Sequence, residues 1–410
     1  MALFDFDMLI AGAGPAGCTL ALHLAPTGLQ IGIIEKDIFP RQKICGDALS
    51  GKVLSVMKRL PGDVFHDFEN TVAKIPSSGI RFTAPNHKSI DVPFLRSPAP
   101  GQSAPGYVCR RSDFDQFLFD RLKAYPNVSV FEGDAVVSAM VQPGFAMVKT
   151  GKHEFRGKVI AAADGVHSIV RKSLHNTHPD KKHYCVGIRG YYENVTGTHP
   201  ENYIELIFLK ELLPGYFWIF PSTGGLVNAG FGVLRSRISE KKVNLVHMLD
   251  NIIASHPLIA PRFKNANLTG KAEAHSLPLG TFQMARTGNR FLLLGDAGFL
   301  VDPFSGEGIG NAMASGEIAA QILRENFSSN VFSAESLATY DARIRKRFSQ
   351  EFRTMTVMQY LASYPRLINL VINKSLKNKE LGDMLSAMYT NPDIMTKLTR
   401  PGFYARLLFR

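Results

Sequence analysis

The residues of this chain best suited to chemistry fall into four stretches. Gly12-Ala-Gly-Pro-Ala-Gly17 has the spacing that cradles a pyrophosphate. In such a run the first glycine permits a tight turn, Gly14 lets phosphates approach the backbone, and Gly17 allows close helix-to-strand packing; Pro15 and Ala16 open the helix. Much later, Gly295-Asp-Ala-Gly-Phe-Leu-Val-Asp-Pro-Phe-Ser-Gly-Glu-Gly308 supplies Asp296 as an acceptor for ribityl hydroxyls. There Gly295, Pro303, Gly306, Gly308 and Ile309 surround a helix start whose N–H groups can face a flat ring. Between these lies Phe39-Pro-Arg-Gln-Lys-Ile-Cys-Gly-Asp47, where Arg41 and Lys43 shortly precede Cys45 and Gly46. Neighbouring cations lower a thiol pKa and raise its reactivity, which makes Cys45 a candidate reactive group; the alternative is a small buried thiol used for packing. Finally, Tyr216, Trp218 and Phe220 alternate, so all three side chains project to one face of a strand, either toward a ligand or into a core.

Secondary structure must hold these groups in place. Residues 6–11 read as a buried strand, 15–24 as the following helix, and 30–34 as a second strand ending at Glu35 and Lys36. Glu35 stands about twenty residues past the glycines, where an acid can hold adenosine ribose hydroxyls. A lone glycine motif is weak evidence; set between strand and helix with the acid in place, it is much stronger. Residues 291–294 form a strand-like run before Asp296, and 309–320 a small-residue helical pattern after it. A third βα unit ends its strand at Asp164-Gly165 and places Ser168 and Arg171 on one helical face. The two separated dinucleotide motifs together imply bound FAD.

The order of these motifs resembles the aromatic-hydroxylase type of flavoprotein, the p-hydroxybenzoate hydroxylase-like fold, over about the first 330 residues. The Pro40-Arg-x-Lys-x-Cys-Gly-acid stretch, the Arg111-x-x-Phe-Asp115 helix start, Tyr216-x-Trp-x-Phe-Pro221 and Asp302-Pro-x-Ser-Gly-Glu-Gly308 narrow the resemblance to the geranylgeranyl reductase family. Many archaeal members carry Cys-Gly-Glu-Gly where this chain has Cys45-Gly-Asp-Ala48. The resemblance implies an FAD-dependent oxidoreductase that reduces carbon–carbon double bonds of an isoprenoid or other lipidic substrate, with NAD(P)H or another reduced carrier as electron donor. Saturating such a bond needs a proton donor beside the flavin. Cys45 is the candidate, with Tyr216 and Trp218 beside it; Arg41 and Arg111 are candidates for phosphate or ribityl contacts, or for ion pairs. The competing functions are an FAD-dependent monooxygenase acting on an aromatic or polycyclic compound and a non-catalytic lipid carrier.

A chain of 410 residues, 45% hydrophobic, can bury several cores. The expected class is α/β (α+β overall). Residues 1–75, 100–180 and 275–330 form a discontinuous Rossmann-like FAD-binding domain, 76–99 and 181–274 an antiparallel β-sheet substrate domain, and 331–410 a C-terminal helical segment. Strand-like runs at 203–209, 216–220 and 226–233 support the sheet. Four cysteines without paired spacing point to a reducing, cytoplasmic compartment, and no metal is expected. The N-terminus, broken by Asp5 and Asp7, reads as a strand rather than a leader. No apolar run reaches the roughly twenty residues of a membrane span. The formal charge of +12 is concentrated after Asp341. Together with a helical stripe of Phe352, Met355, Met358 and Leu361, that bias implies peripheral contact with an anionic membrane, or else a solvated face above core-packed side chains. No nucleic-acid module is recognisable.

Overall fold

The computed structural model describes residues 2–94, 103–175, 177, 179–241 and 244–378. The part of the basic C-terminal excess that follows residue 378 lies outside them.

Met8–Ala11, Ile31–Ile34 and Val159–Ala162 are buried at every position. Such continuous apolar runs suit a parallel sheet covered on both faces. The sheet runs in the order Thr287–Gly288, Phe291–Leu293, Val159–Ala162, Met8–Ala11, Ile31–Ile34, Val128–Phe131, parallel throughout except for the edge pair of Thr287–Gly288 with Phe291–Leu293. Two helices cross one face. Pro15–Leu24 and Ile309–Ser329 approach so closely that a Cβ at Gly316 would lie 2.5 Å from the Ala16 carbonyl oxygen. Both dinucleotide stretches thereby open at the carboxyl ends of parallel strands, Met8–Ala11 and Phe291–Leu293, which flank Val159–Ala162.

A seven-stranded sheet stands over this layer: Asn267–Pro278, Tyr184–Glu193, Val227–Leu234, Tyr216–Pro221, Ile204–Ile207, Gly79–Thr83, Ser89–Pro93. It is antiparallel apart from the pairing of Ile204–Ile207 with Gly79–Thr83. Register pairs Phe220 with Asn228, Trp218 with Gly230 and Tyr216 with Gly232, so one face carries aromatics beside small residues. The other face buries Phe217, Ile219, Ala229 and Phe231 in a core that includes Leu249 and Ile252 of the helix Leu245–Ser255. Aromatic and β-branched alternation explains why these segments became strands.

A four-stranded sheet joins Ala2–Asp5 to His153–Gly157, Phe145–Thr150 and Val136–Gln142. The apolar start of the chain is thus two strands, of which only Met8–Ala11 belongs to the parallel sheet. The expected helical stripe is real but points inward: Phe352 and Met355 are buried, and a Cβ at Gly280 would lie 2.3 Å from the Phe352 ring. These two side chains pack the helix Ala334–Leu361 onto the body and offer nothing to a membrane. Among the described residues no helix is long and apolar enough to cross a membrane, and no group of side chains could hold a metal ion.

Candidate functional site

The three βα turns meet in one place. Gly12 has φ +99°, and a Cβ there would lie 2.4 Å from the Ala163 carbonyl oxygen, so the first turn presses against the third. Asp164 Oδ2 accepts from the amides of Ile169 and Val170 at 2.8 and 3.2 Å and holds the start of that helix. Ser168 caps it, its Oγ accepting from the Arg171 amide at 3.0 Å. Arg171 then donates to the carbonyls of Ala297 and Val166 at 2.9 and 2.8 Å, tying the Asp-Gly turn to the Gly-Asp turn.

These turns and the seven-stranded sheet enclose a cavity of about 730 Å³. Gly12, Gly14, Pro15, Ala16, Glu35 and Lys36 line it, as do Asp164 and Arg41. Gly17 does not reach it; a Cβ there would lie 2.0 Å from Gly12 O, so this glycine serves helix-to-strand packing. Glu35 is oriented by amides, with Oε2 accepting from Ala13 at 2.7 Å and Oε1 from Asp37 at 3.0 Å. Gly295, Asp296, Pro303, Gly306, Gly308 and Ile309 line the cavity too, Gly295 close to Ala16. Asp302 Oδ1 accepts from the amides of Phe304 and Ser305 at 3.0 and 2.7 Å and shapes that loop.

An elongated dinucleotide fits this cradle on three observations. A Cβ at Gly14 would meet only Arg41 Nη2, at 3.5 Å, which leaves the glycine surface open for phosphates. Arg41 Nε is buried without a partner, although Nη2 pairs with Asp115 at 3.0 Å. Asp164 Oδ1 is likewise buried and unpartnered on the cavity wall. Buried polar atoms are seldom left unpaired, and a diphosphate with its sugars supplies the missing partners.

Arg41 and Arg111 have separated roles. Arg111 spends Nε and Nη2 on both oxygens of Asp115, each at 2.8 Å, and its remaining side faces the Cys45 thiol. Lys43 turns away from Cys45, its Nζ lying 2.6 Å from His275 Nε2. The expected lowering of the thiol pKa is therefore reversed. Burial pushes Cys45 up, and Arg111 opposes this only in part. Sequence proximity had placed Lys43 and Arg41 beside the sulfur; the fold sends one to His275 and the other to Asp115.

Tyr216, Trp218 and Phe220 all line the cavity, as do Cys45 and Gly46. The Tyr216 hydroxyl donates to the Ser305 carbonyl and the Trp218 indole Nε1 to Asn228 Oδ1 at 2.9 Å. Their polar hydrogens are spent on the frame, and their rings form an apolar wall. Two residues with no role assigned from sequence complete the site: Asp47, the acid that ends the Cys-Gly-acid motif, and Asn228, which no motif contains. Asp47, fully buried, accepts from Tyr191 Oη at 2.5 Å and Asn228 Nδ2 at 2.8 Å. Burial pushes the Asp47 carboxyl up to about 6, against those two hydrogen bonds. Asn228 carried one signal in the sequence, a lone amide within an otherwise apolar strand.

The chain is similar to known proteins in sequence and in fold. The FAD binding domain family model covers residues 5–354. Digeranylgeranylglycerophospholipid reductase of Thermoplasma volcanium is 27% identical over 413 residues, 96% of this chain and 98% of the relative. Menaquinone reductase of Mycolicibacterium smegmatis is 25% identical over 385 residues, 89% of this chain and 86% of the relative. A solved geranylgeranyl bacteriochlorophyll reductase-like protein from Thermoplasma acidophilum shares the fold, with TM-score 0.79 at 23% identity, covering 97% of this chain and 99% of that one. The chain belongs to the FAD binding domain family, and it is an FAD-dependent oxidoreductase.

Proposed function

We propose that this enzyme reduces carbon–carbon double bonds of an isoprenoid lipid, with NAD(P)H or another reduced carrier supplying electrons. The observation that carries this reading is one cavity lined both by the dinucleotide turns and by the rings of Trp218 and Phe220, with two thiols on its wall: Cys45, which faces Arg111, and Cys185, whose Sγ donates to the Val233 carbonyl at 3.1 Å. Saturating an alkene adds a hydride to one carbon and a proton to the other. FAD bound in the cradle supplies the hydride from its reduced form. Gly14 and Arg41 would hold its pyrophosphate, Glu35 and Lys36 its adenosine end, and Asp296 its ribityl chain.

Cys45 holds the proton at Sγ. A thiol whose pKa is raised by burial keeps its hydrogen at neutral pH, as a donor must. After transfer, the thiolate faces the Arg111 guanidinium, which Asp115 fixes in place, and solvent protons restore the thiol. Tyr216, Trp218 and Phe220 exclude water and orient the chain of the substrate along the wall.

The substrate arrives from a membrane surface. On the outer side of Ala334–Leu361, Val357 and Tyr360 are exposed, with Tyr364 just beyond and Arg353 and Arg366 alongside. Tyrosines among cations suit the headgroup level of a bilayer. On the inward side of the same turn, Gln359 lines the cavity, so the face adjoins the pocket.

Turnover of digeranylgeranylglycerophospholipid with a reduced donor, followed by mass spectrometry, tests the reading. The expected product gains one hydrogen molecule per double bond. A product that instead gains an oxygen atom, formed only in air, would assign the monooxygenase function.

A further inference from the structure

Asn228 is fully buried on the strand Val227–Leu234, between Phe220 on one neighbour and Tyr191 on the other. Its amide makes three bonds. Oδ1 accepts from the Trp218 indole at 2.9 Å, while Nδ2 donates to the Cys45 carbonyl and to Asp47 Oδ2, both at 2.8 Å. Both hydrogens of the amide are used, and so is its oxygen. Ionised aspartate in this place accepts but cannot donate, and it sets a second carboxylate against Asp47; leucine neither donates nor accepts. The turn it holds is pressed on the aromatic wall, since a Cβ at Gly46 would lie 3.0 Å from the Phe220 ring and 3.7 Å from Trp218 Nε1. Asp47 itself has φ +69°, a region a non-glycine residue occupies only when its surroundings over-determine it. Asn228, Tyr191 and the Cys109 amide, which donates to the Asp47 carbonyl at 3.0 Å, do so.

We infer that Asn228 is a positioning residue: it clamps the Cys45–Asp47 turn to the Trp218 wall and so fixes where the Cys45 thiol meets the substrate. The inference rests on the proposed proton-donor role of Cys45. Reacting groups displaced by about 1 Å lose on the order of a hundredfold in rate.

The experiment is anaerobic, single-turnover oxidation of the dithionite-reduced flavoprotein by micellar digeranylgeranylglycerophospholipid, in wild type, Cys45→Ala, Asn228→Asp, Asn228→Leu and the Cys45→Ala/Asn228→Asp double variant. Asn228→Asp is expected to retain FAD and slow flavin oxidation by roughly tenfold to a hundredfold. Trp218, the only tryptophan, should keep its emission in Asn228→Asp, where the acceptor survives, and shift in Asn228→Leu. In the Cys45→Ala background Asn228→Asp should add nothing, because both act through one group. Equal slowing with and without Cys45, or a wild-type rate in Asn228→Asp, overturns the inference. A wild-type rate in Cys45→Ala alone refutes the proton-donor reading and the inference with it. If Asn228→Leu does not fold, Asn228→Asp still decides when it is compared with Asp47→Asn/Asn228→Asp, which removes the second carboxyl and leaves the Cys45 carbonyl without its donor.

Discussion

A Cβ at Gly12 would lie 2.4 Å from the carbonyl oxygen of Ala163, whereas one at Gly14 would meet only Arg41 Nη2, at the ordinary contact distance of 3.5 Å. The two glycines of one motif therefore serve different ends. Gly12→Ala should lose both the fold around the parallel sheet and the flavin, since the clash is with backbone and φ is +99°. Gly14→Ala should leave the melting curve of the flavin-free protein unchanged and weaken FAD by roughly tenfold, about 1.4 kcal/mol. Flavin fluorescence titration alongside thermal melting separates the two. Equal melting temperatures for the two variants would contradict this division.

Cys45 should behave as a reluctant nucleophile. With its thiol pKa raised by burial, alkylation by iodoacetamide near neutral pH should be slow and should accelerate only above the usual thiol range. Removing the guanidinium in Arg111→Ala should push that rise to still higher pH. The Cys45-specific rate, obtained by peptide mass spectrometry, checks this. Rapid alkylation at neutral pH would restore the activated thiolate suggested by the local sequence.

Asp47 makes stability depend on pH. Its folded-state pKa, about 6, lies above the ordinary 3.8, so the folded protein binds the proton more tightly than the unfolded chain does. That contribution is present below about pH 4 and is lost as pH rises toward 6. Asp47→Asn should therefore gain on wild type by up to about 3 kcal/mol between those limits, the rough equivalent of a two-unit shift. Urea denaturation of both proteins across this range gives the difference directly. A flat difference would show that the carboxyl is not destabilised by burial.

The helix Ala334–Leu361 presents two faces with opposite expectations. Phe352→Ala should cost about 3–5 kcal/mol of stability, because its buried ring stacks on Phe348 with centroids 5.5 Å apart. Tyr360→Glu should leave stability unchanged and reduce sedimentation with anionic vesicles, an effect that shrinks with rising salt in both proteins. Identical vesicle binding by Tyr360→Glu and wild type would remove this face from the membrane account.

Much of the site was legible because its parts are local. The glycine turns, Glu35, the Asp164 turn and the Asp296 loop depend on short spacings that announce strand, turn and helix. The aromatic alternation at Tyr216, Trp218 and Phe220 was readable as one face for the same reason, and register set that face over the cavity. What depended on distant contacts was not legible. Lys43 meets His275, and Asn228 meets Cys45, across separations no spacing rule spans. The stripe at Phe352 and Met355 has the same periodicity whether it faces lipid or core; only the position of Gly280 beneath Phe352 decides it.

The central claim is that reduced flavin in this protein is oxidised by an isoprenoid double bond. Anaerobic titration of the reduced flavoprotein with a geranylgeranyl lipid, followed by flavin absorbance and lipid mass, measures this most directly. The account predicts recovery of oxidised flavin without oxygen, with one saturated bond formed per flavin reoxidised. Reduced flavin that persists beside unchanged lipid, and reoxidises only when air is admitted with an oxygenated product, would contradict it.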